Sequence, residues 1–214
     1  MTRHPDKKGG KSHLDPIIAG RSGLLVVDAQ RGFTNLCPSE LPVPGGEAIV
    51  PALNRLLSLP WCRIDASQDW HPADHCSFHG QRDAIYPPHC VMNTPGAEFL
   101  PGLDTHRFHA IWRKGFENHR DAYALTGQHP AYVAVLRESG IDTVVIAGLA
   151  TNICCYFVAR DLRKAGFRVM IVEDASAGID VPVAGLLQEQ TRKEGLGLGI
   201  HYCQVEDIQA AIRP

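Results

Sequence analysis

The chain has 214 residues, a length that fits one compact domain with a well-buried core. Lys and Arg number 21 against 23 Asp and Glu, a formal charge of −2. No global cationic field therefore exists to recruit nucleic acid or an anionic membrane, and a small, weakly charged ligand fits better. Seven cysteines, an odd number without a C-x-x-C pair, and the lack of a signal-type apolar stretch or a bilayer-length apolar run argue for free thiols in a reducing, cytoplasmic setting.

Residues 1–20 are rich in Lys, His, Gly and Pro and show no apolar periodicity. They read as a flexible or loosely docked arm in which His4 and His13 are solvated, ahead of a single domain over 21–214. Residues 23–27 (GLLVV) form a continuous apolar run that ends in Asp28, as a strand covered on both faces would. Residues 47–59 place Ile49, Val50, Leu53, Leu56 and Leu57 at helical spacing, and 62–67 read as the next strand. Residues 68–109 are rich in His, Pro, Gly and Asp without regular periodicity, a length that signals function inside a compact domain. Beyond them, strands are expected at 109–114, 143–147, 168–172 and 199–203, and helices at 130–140, 153–165, 182–194 and 205–212. Alternating strands and helices predict a three-layer, doubly wound α/β fold, with helices on both faces of a mostly parallel sheet and ligands at the carboxyl ends of its strands.

The segment from Val145 to Cys155 runs from a strand through a small-residue turn into a helix. Thr151 or Asn152 can cap that helix, which puts Cys154 in its first turn. Free N–H groups and the helix dipole there favour thiolate over thiol and can hold an oxyanion. Cys155, Val158, Ala159 and Leu162 make an apolar stripe, so Cys155 reads as core and Cys154, off the stripe, as the candidate nucleophile. Asp28 and Lys114 both close predicted strands. A doubly wound sheet would bring them to the same edge as the sulfur, where Asp28 can move its proton and Lys114 balance the charge. Taken singly, Asp28 reads as a turn-forming cap and Lys114 as a solvated strand end.

In the stretch SQDWHPADH, Asp69 and His71 stand two apart, on one face of extended backbone, as two ligands of one ion require. His89 is the natural third ligand and His75 a candidate fourth. Oxygen with imidazole nitrogen suits zinc, iron or manganese. A softer site drawing on Cys76 or Cys90 is conceivable, although neighbouring side chains in extended chain point opposite ways.

In this order the segments VVDAQRGF, LPVPGGEAIVPALN, SQDWHPADHCSF, PPHCVMNTPGAEF, RKG with DAY, and GLATNICC followed by DLRKAGFRVMIVEDASAG resemble the nicotinamidase and pyrazinamidase branch of the isochorismatase-like hydrolases, over about residues 24–178. The resemblance implies a six-stranded parallel sheet and a catalytic set of Asp28, Lys114 and Cys154. It also implies one divalent metal, zinc foremost with iron or manganese as alternatives, on Asp69, His71 and His89, with His75 a ligand in some members. A cis peptide joining Leu149 and Ala150 would turn the Ala150 and Cys154 N–H groups toward the substrate oxygen. Phe33 matches a ring-lining aromatic, and Tyr86 stands where tryptophan is common. The implied reaction is hydrolysis of nicotinamide to nicotinate and ammonia through a thioester on Cys154, with pyrazinamide as a further substrate and a homo-oligomer as the implied assembly. Gly32 departs from a common acidic residue and Asn152 from a common aspartate. The alternatives are a cysteine amidohydrolase acting on a carbamoyl or ureido substrate, a thiol-independent isochorismate hydrolase, against which Cys154 counts, and a catalytically silent metal-binding protein.

Overall fold

A computed structural model describes residues 14–80, 84–121 and 123–214. In chain order the elements are β1 (Ile17–Ile18), β2 (Ser22–Val27), α1 (Val50–Leu57), β3 (Arg63–Asp69), β4 (Ala110–Lys114), α2 (Leu125–Gln128), α3 (Ala131–Glu138), β5 (Thr143–Leu149), α4 (Tyr156–Lys164), β6 (Arg168–Ala177), α5 (Gln188–Gly197), β7 (His201–Cys203), α6 (Val205–Ala211) and β8 (Ile212–Arg213). Six of the strands form one sheet in the order β4-β3-β2-β5-β6-β7, with every neighbouring pair parallel. The expected three-layer α/β architecture is present. On the sheet, α1 packs with α6 and β6, while α2 meets α3 and α4, and α4 meets α5.

The two central strands explain their own sequences. SGLLVV of β2 and TVVIAGL of β5 are buried at every position, because helices cover both faces and leave no side chain a route to water. The chain winds from β2 outward through β3 to β4, then returns to β5 on the other flank of β2 and winds outward again. The winding reverses between β2 and β5, and the crevice beyond their carboxyl ends is where such folds collect ligands. Strand register levels these ends, since Val27 lies beside Gly148 and Asp69 beside Lys114. Gly148 holds φ +130°, and a Cβ there would run into the Val27 carbonyl, so only glycine lets the two strand ends approach.

The amphipathic readings hold for α1, where Leu53, Leu56 and Leu57 are fully buried, and for α4, where Val158, Ala159 and Leu162 continue a buried stripe from Cys155. Four expectations need correction. Residues 1–13, with His4 and His13, lie outside the described residues, but the remainder of the expected arm is docked. β1 pairs in parallel with β8, Ile17 is fully buried, and the Arg168 guanidinium donates to the carbonyls of Asp15 and Pro16. Two apolar residues are too short a run to betray a strand whose partner is at the other end of the chain. β6 continues to Ala177 rather than ending at Val172, because a register shift opposite Ile146 and Gly148 accommodates Glu173 and Asp174 within the strand. The helix expected from Pro182 starts only at Gln188, since Pro182 opens a single 3-10 turn that Gly185 closes at φ +67°. Ahead of α4, Thr151–Cys155 forms a π-helical turn in place of the expected first turn of α-helix.

Replacing Gly148 with Ala should lower stability by about 3 kcal/mol, from backbone strain and overpacking combined. Urea denaturation measures this, and an unchanged midpoint would show that the β2 and β5 ends tolerate separation.

Candidate active site

Each strand end at the crevice delivers one reactive group. Asp28, just past β2, holds φ +44°, a left-handed conformation that aspartate tolerates better than most residues. Its N–H donates to the Ser67 carbonyl at 3.2 Å, and the Ser67 hydroxyl donates back to Oδ1 at 2.7 Å. Lys114, the last residue of β4, places Nζ 2.9 Å from Asp28 Oδ2, donates to Asp69 Oδ1, and lies 3.5 Å from Cys154 Sγ. All four side chains are buried, with Asp28 at 0% and Lys114 at 1% exposure. The structure therefore brings Asp28, Lys114 and Cys154 together, with Asp69 on the same ammonium.

Burial sets the charges. It pushes the Asp28 carboxyl above its ordinary range, an effect that Lys114 opposes and Asp69 reinforces. Burial acts upward on Asp69 too, but Lys114 and His71 outweigh it and hold Asp69 below the usual carboxylate range. Lys114 would lose its proton on burial alone, and the carboxylates of Asp28 and Asp69 keep it charged well above neutrality. For Cys154 burial dominates: the thiol is pushed well above the usual range, Lys114 recovers part of the shift, and Asp28 and Asp69 add to it. Enclosure thus opposes the preference for thiolate that a helix start confers. The capping expectation fails. Asn152 turns its amide away from the helix, donating to the carbonyls of Ile179 and Leu186 and accepting the Ile179 N–H, and Ala150 at the cap position has only a methyl, with no acceptor to offer.

Asp69, His71 and His89 each offer one ligand atom within 4.8 Å of the others, and all three are buried. His71 Nδ1–H donates to the Gly115 carbonyl at 2.9 Å, and His89 Nδ1–H donates to the Pro87 carbonyl at 2.8 Å. Carbonyls only accept, so Nδ1 carries a proton on both rings and Nε2 is the atom turned toward the cluster, where His71 Nε2 lies 3.5 Å from Asp69 Oδ2 and, against the effect of burial, that carboxylate raises the His71 pKa. Burial and the neighbouring His71 lower the His89 pKa to about 4, which leaves that ring neutral and able to ligate. Gly115 makes this packing possible, because a Cβ there would overlap the His71 ring. His75 is not brought into the set. Its Nδ1 accepts from the Ser77 N–H and hydroxyl, and its Nε2–H points to the Arg120 carbonyl at 3.3 Å, so no lone pair remains. Among the described residues, neither Cys76 nor Cys90 joins the cluster.

Between these groups lies a cavity that Cys154, Ala150, Phe33 and Tyr86 all line. The rings of Phe33 and Tyr86 both lie against His89, with centroids 5.5 and 5.8 Å away. The Leu149–Ala150 peptide is cis, as the resemblance implied. Sequence reasoning missed several residues here. Gln30 grips the Asp69 backbone from both sides, its Oε1 accepting the N–H and its Nε2 donating to the carbonyl, each at 2.8 Å. Tyr123 sets its hydroxyl 3.2 Å from that of Tyr86 and stacks on Phe157, and Leu41, Val43 and Ile153 supply apolar wall. Gln30 and Tyr123 sat within the quoted motifs and were readable there. Leu41, Val43 and Ile153 lie in quoted segments too, but an aliphatic residue there carries no mark of which way it faces, and only the fold turns it inward.

The isochorismatase domain model matches residues 22–184, and the chain belongs to the isochorismatase family. Within that family it lies on the nicotinamidase and pyrazinamidase branch. It is 34% identical over 183 residues to the nicotinamidase of Acinetobacter baylyi, covering 76% of this chain and 84% of that one. Its fold superposes on PnC1 from L. infantum in complex with nicotinate, with a TM-score of 0.81 and 32% identity over 94% of this chain and 99% of the other. It is also similar to the pyrazinamidase of Pyrococcus horikoshii in complex with zinc, with a TM-score of 0.74 and 34% identity over 86% and 99% of the two chains.

The raised thiol pKa has a direct readout. At pH 7 iodoacetamide should modify Cys154 more slowly than the exposed Cys62, with the rate climbing as pH rises, followed by peptide mass spectrometry. A Cys154 rate that is already at its plateau below pH 7 would mean a resting thiolate.

Proposed function

We propose that the protein is a nicotinamidase, hydrolysing nicotinamide to nicotinate and ammonia through a thioester on Cys154 and cleaving pyrazinamide by the same route. The observation that carries this reading is the contact of one buried ammonium with both Asp28 and Cys154 beside the Asp69, His71 and His89 cluster. The likeness to nicotinamidases, including one solved with nicotinate, supports it.

In this reading Asp28 carries one proton at a time, first from Cys154 to the departing nitrogen and then from water back to Cys154. Burial raises both groups, so Asp28 is a stronger base than a solvated carboxylate and takes the thiol proton as sulfur adds to the amide carbon. The Ala150 and Cys154 N–H groups receive the oxyanion. Asp28 then gives its proton to the departing nitrogen, which leaves as ammonia and breaks the C–N bond. A water molecule yields a proton to the regenerated carboxylate and attacks the thioester. The thiolate leaves, recovers that proton from Asp28, and the acid product is released. Lys114 stays charged in every state and offsets the negative charge as it moves between carboxylate and sulfur. Phe33 and Tyr86 hold the flat ring, so that the amide meets the thiol already aligned.

Asp69, His71 and His89 would hold one divalent ion, with zinc the best fit for an oxygen and two imidazole nitrogens and iron or manganese as alternatives. Bound there, it would supply a Lewis-acidic anchor for the ring nitrogen. The zinc-bound pyrazinamidase of Pyrococcus horikoshii supports this assignment. Among the described residues no helix is long and apolar enough to cross a membrane. All seven cysteines are free, which supports the reducing, cytoplasmic setting read from their number.

Purified protein should release ammonia from nicotinamide, lose most activity with a chelator and regain it with added zinc. Cys154→Ala should cut turnover by at least about 10³-fold while zinc content stays unchanged. Turnover retained by Cys154→Ala would remove the thioester route. Faster hydrolysis of a linear carbamoyl compound would move the assignment to another amidohydrolase branch, and bound zinc without any ammonia would indicate a silent binding protein.

A further inference from the structure

Glu40 is a half-buried carboxylate that the proposed chemistry does not use. Its Oε2 accepts the Cys90 N–H at 2.8 Å. Two glycines from separate segments make room for it, since a Cβ on Gly32 would overlap Oε2 and a Cβ on Gly96 would overlap both oxygens. Neither glycine has a positive φ, so backbone conformation does not require glycine at either place. The space taken by the Glu40 carboxylate does at Gly96, and at Gly32 it does so together with the Cys90 sulfur and the Gly96 carbonyl, which a Cβ would meet at 2.9 and 3.0 Å.

The peptide that Glu40 grips belongs to the frame of the site. Cys90 follows His89 and holds φ +46°, a conformation cysteine rarely adopts unaided. Its carbonyl accepts the His71 N–H at 3.1 Å, and the Met92 N–H returns to the His71 carbonyl at 2.8 Å. The Cys90 backbone is therefore clasped by Glu40 on one side and His71 on the other. Gly32 precedes Phe33, and its carbonyl accepts the N–H of Leu41, the neighbour of Glu40, at 3.0 Å.

We propose that Glu40 is a positioning residue, whose carboxylate pins the Cys90 peptide, and with it His89 and His71, to the turn that carries Phe33. This rests on the reading of Asp69, His71 and His89 as metal ligands. Glu40 touches no reacting atom and acts only through the backbone it holds.

Two measurements on the metal-free, full-length protein test this: hydrogen exchange at the amides of 68–75 and 86–92, and zinc titration against a competing chelator. Glu40→Ala should speed exchange in both segments, leave α5 and α6 unchanged, and weaken zinc binding by about 10- to 100-fold. Glu40→Gln, whose amide oxygen still accepts, should stay close to the parent protein in both readouts. Unchanged exchange at Cys90 in Glu40→Ala would overturn the proposal, as would a Glu40→Gln variant no better than Glu40→Ala. If Glu40→Ala does not fold, Glu40→Gln decides, by keeping the parent's exchange at Cys90 and its zinc binding or by losing both. A parent protein that takes up no zinc would sink the metal reading, while exchange at Cys90 would still decide the role of Glu40.

Discussion

Lys114 carries a positive charge to a place that water does not reach, and three acidic groups depend on it. Asp28, Asp69 and Cys154 converge on its ammonium from three different strand ends, each buried and each with Lys114 as its foremost countercharge. Taking a charge out of water costs several kcal/mol, which neither carboxylate would bear alone. With the ammonium between them, one carboxylate stays ionised below its ordinary range and the other becomes a base of raised strength. Removing one partner of such a buried set costs about 3–5 kcal/mol, because the remaining charges are left uncompensated.

The fold exists to bring these groups level. Register places Asp69 directly beside Lys114, and the reversal of winding between β2 and β5 opens the crevice into which Asp28 and Cys154 project. Around that centre the backbone is held by side chains that do no chemistry. Gln30 fixes the Asp69 peptide, Ser67 fixes the Asp28 carboxylate, and Gly115 clears room for the His71 ring. Precision at the sulfur thus comes from strand ends and their hydrogen bonds, in a region where most of the covering chain is irregular.

Much of this was legible in the residues. Continuous apolar runs marked the central strands, since burial on both faces removes any alternation, and charged residues closing two predicted strands marked Asp28 and Lys114 as neighbours. The spacing of Asp69 and His71 set both on one face, where the structure clusters them with His89, and the stripe through Cys155 left Cys154 free to face the cavity. What stayed hidden depends on contacts between distant segments. β1 is two residues long and has meaning only beside β8, and the second hydrogen bond of His75, to the Arg120 carbonyl, comes from a residue far along the chain. The electrostatic setting of Cys154 stayed hidden for a related reason. Its position at a helix start favours thiolate locally, but enclosure with two carboxylates reverses that preference, and enclosure cannot be read from position.

The dependence of the site on one ammonium is most directly measured in a Lys114→Met variant, assayed for ammonia release from nicotinamide alongside its circular dichroism and zinc content. Without the ammonium, Asp28 should be neutralised by a proton and lose its capacity as a base, so turnover should fall by about 10³-fold or more in a folded protein. A folded Lys114→Met protein that turns over within ten-fold of the parent would show that carboxylate and sulfur work without the shared charge.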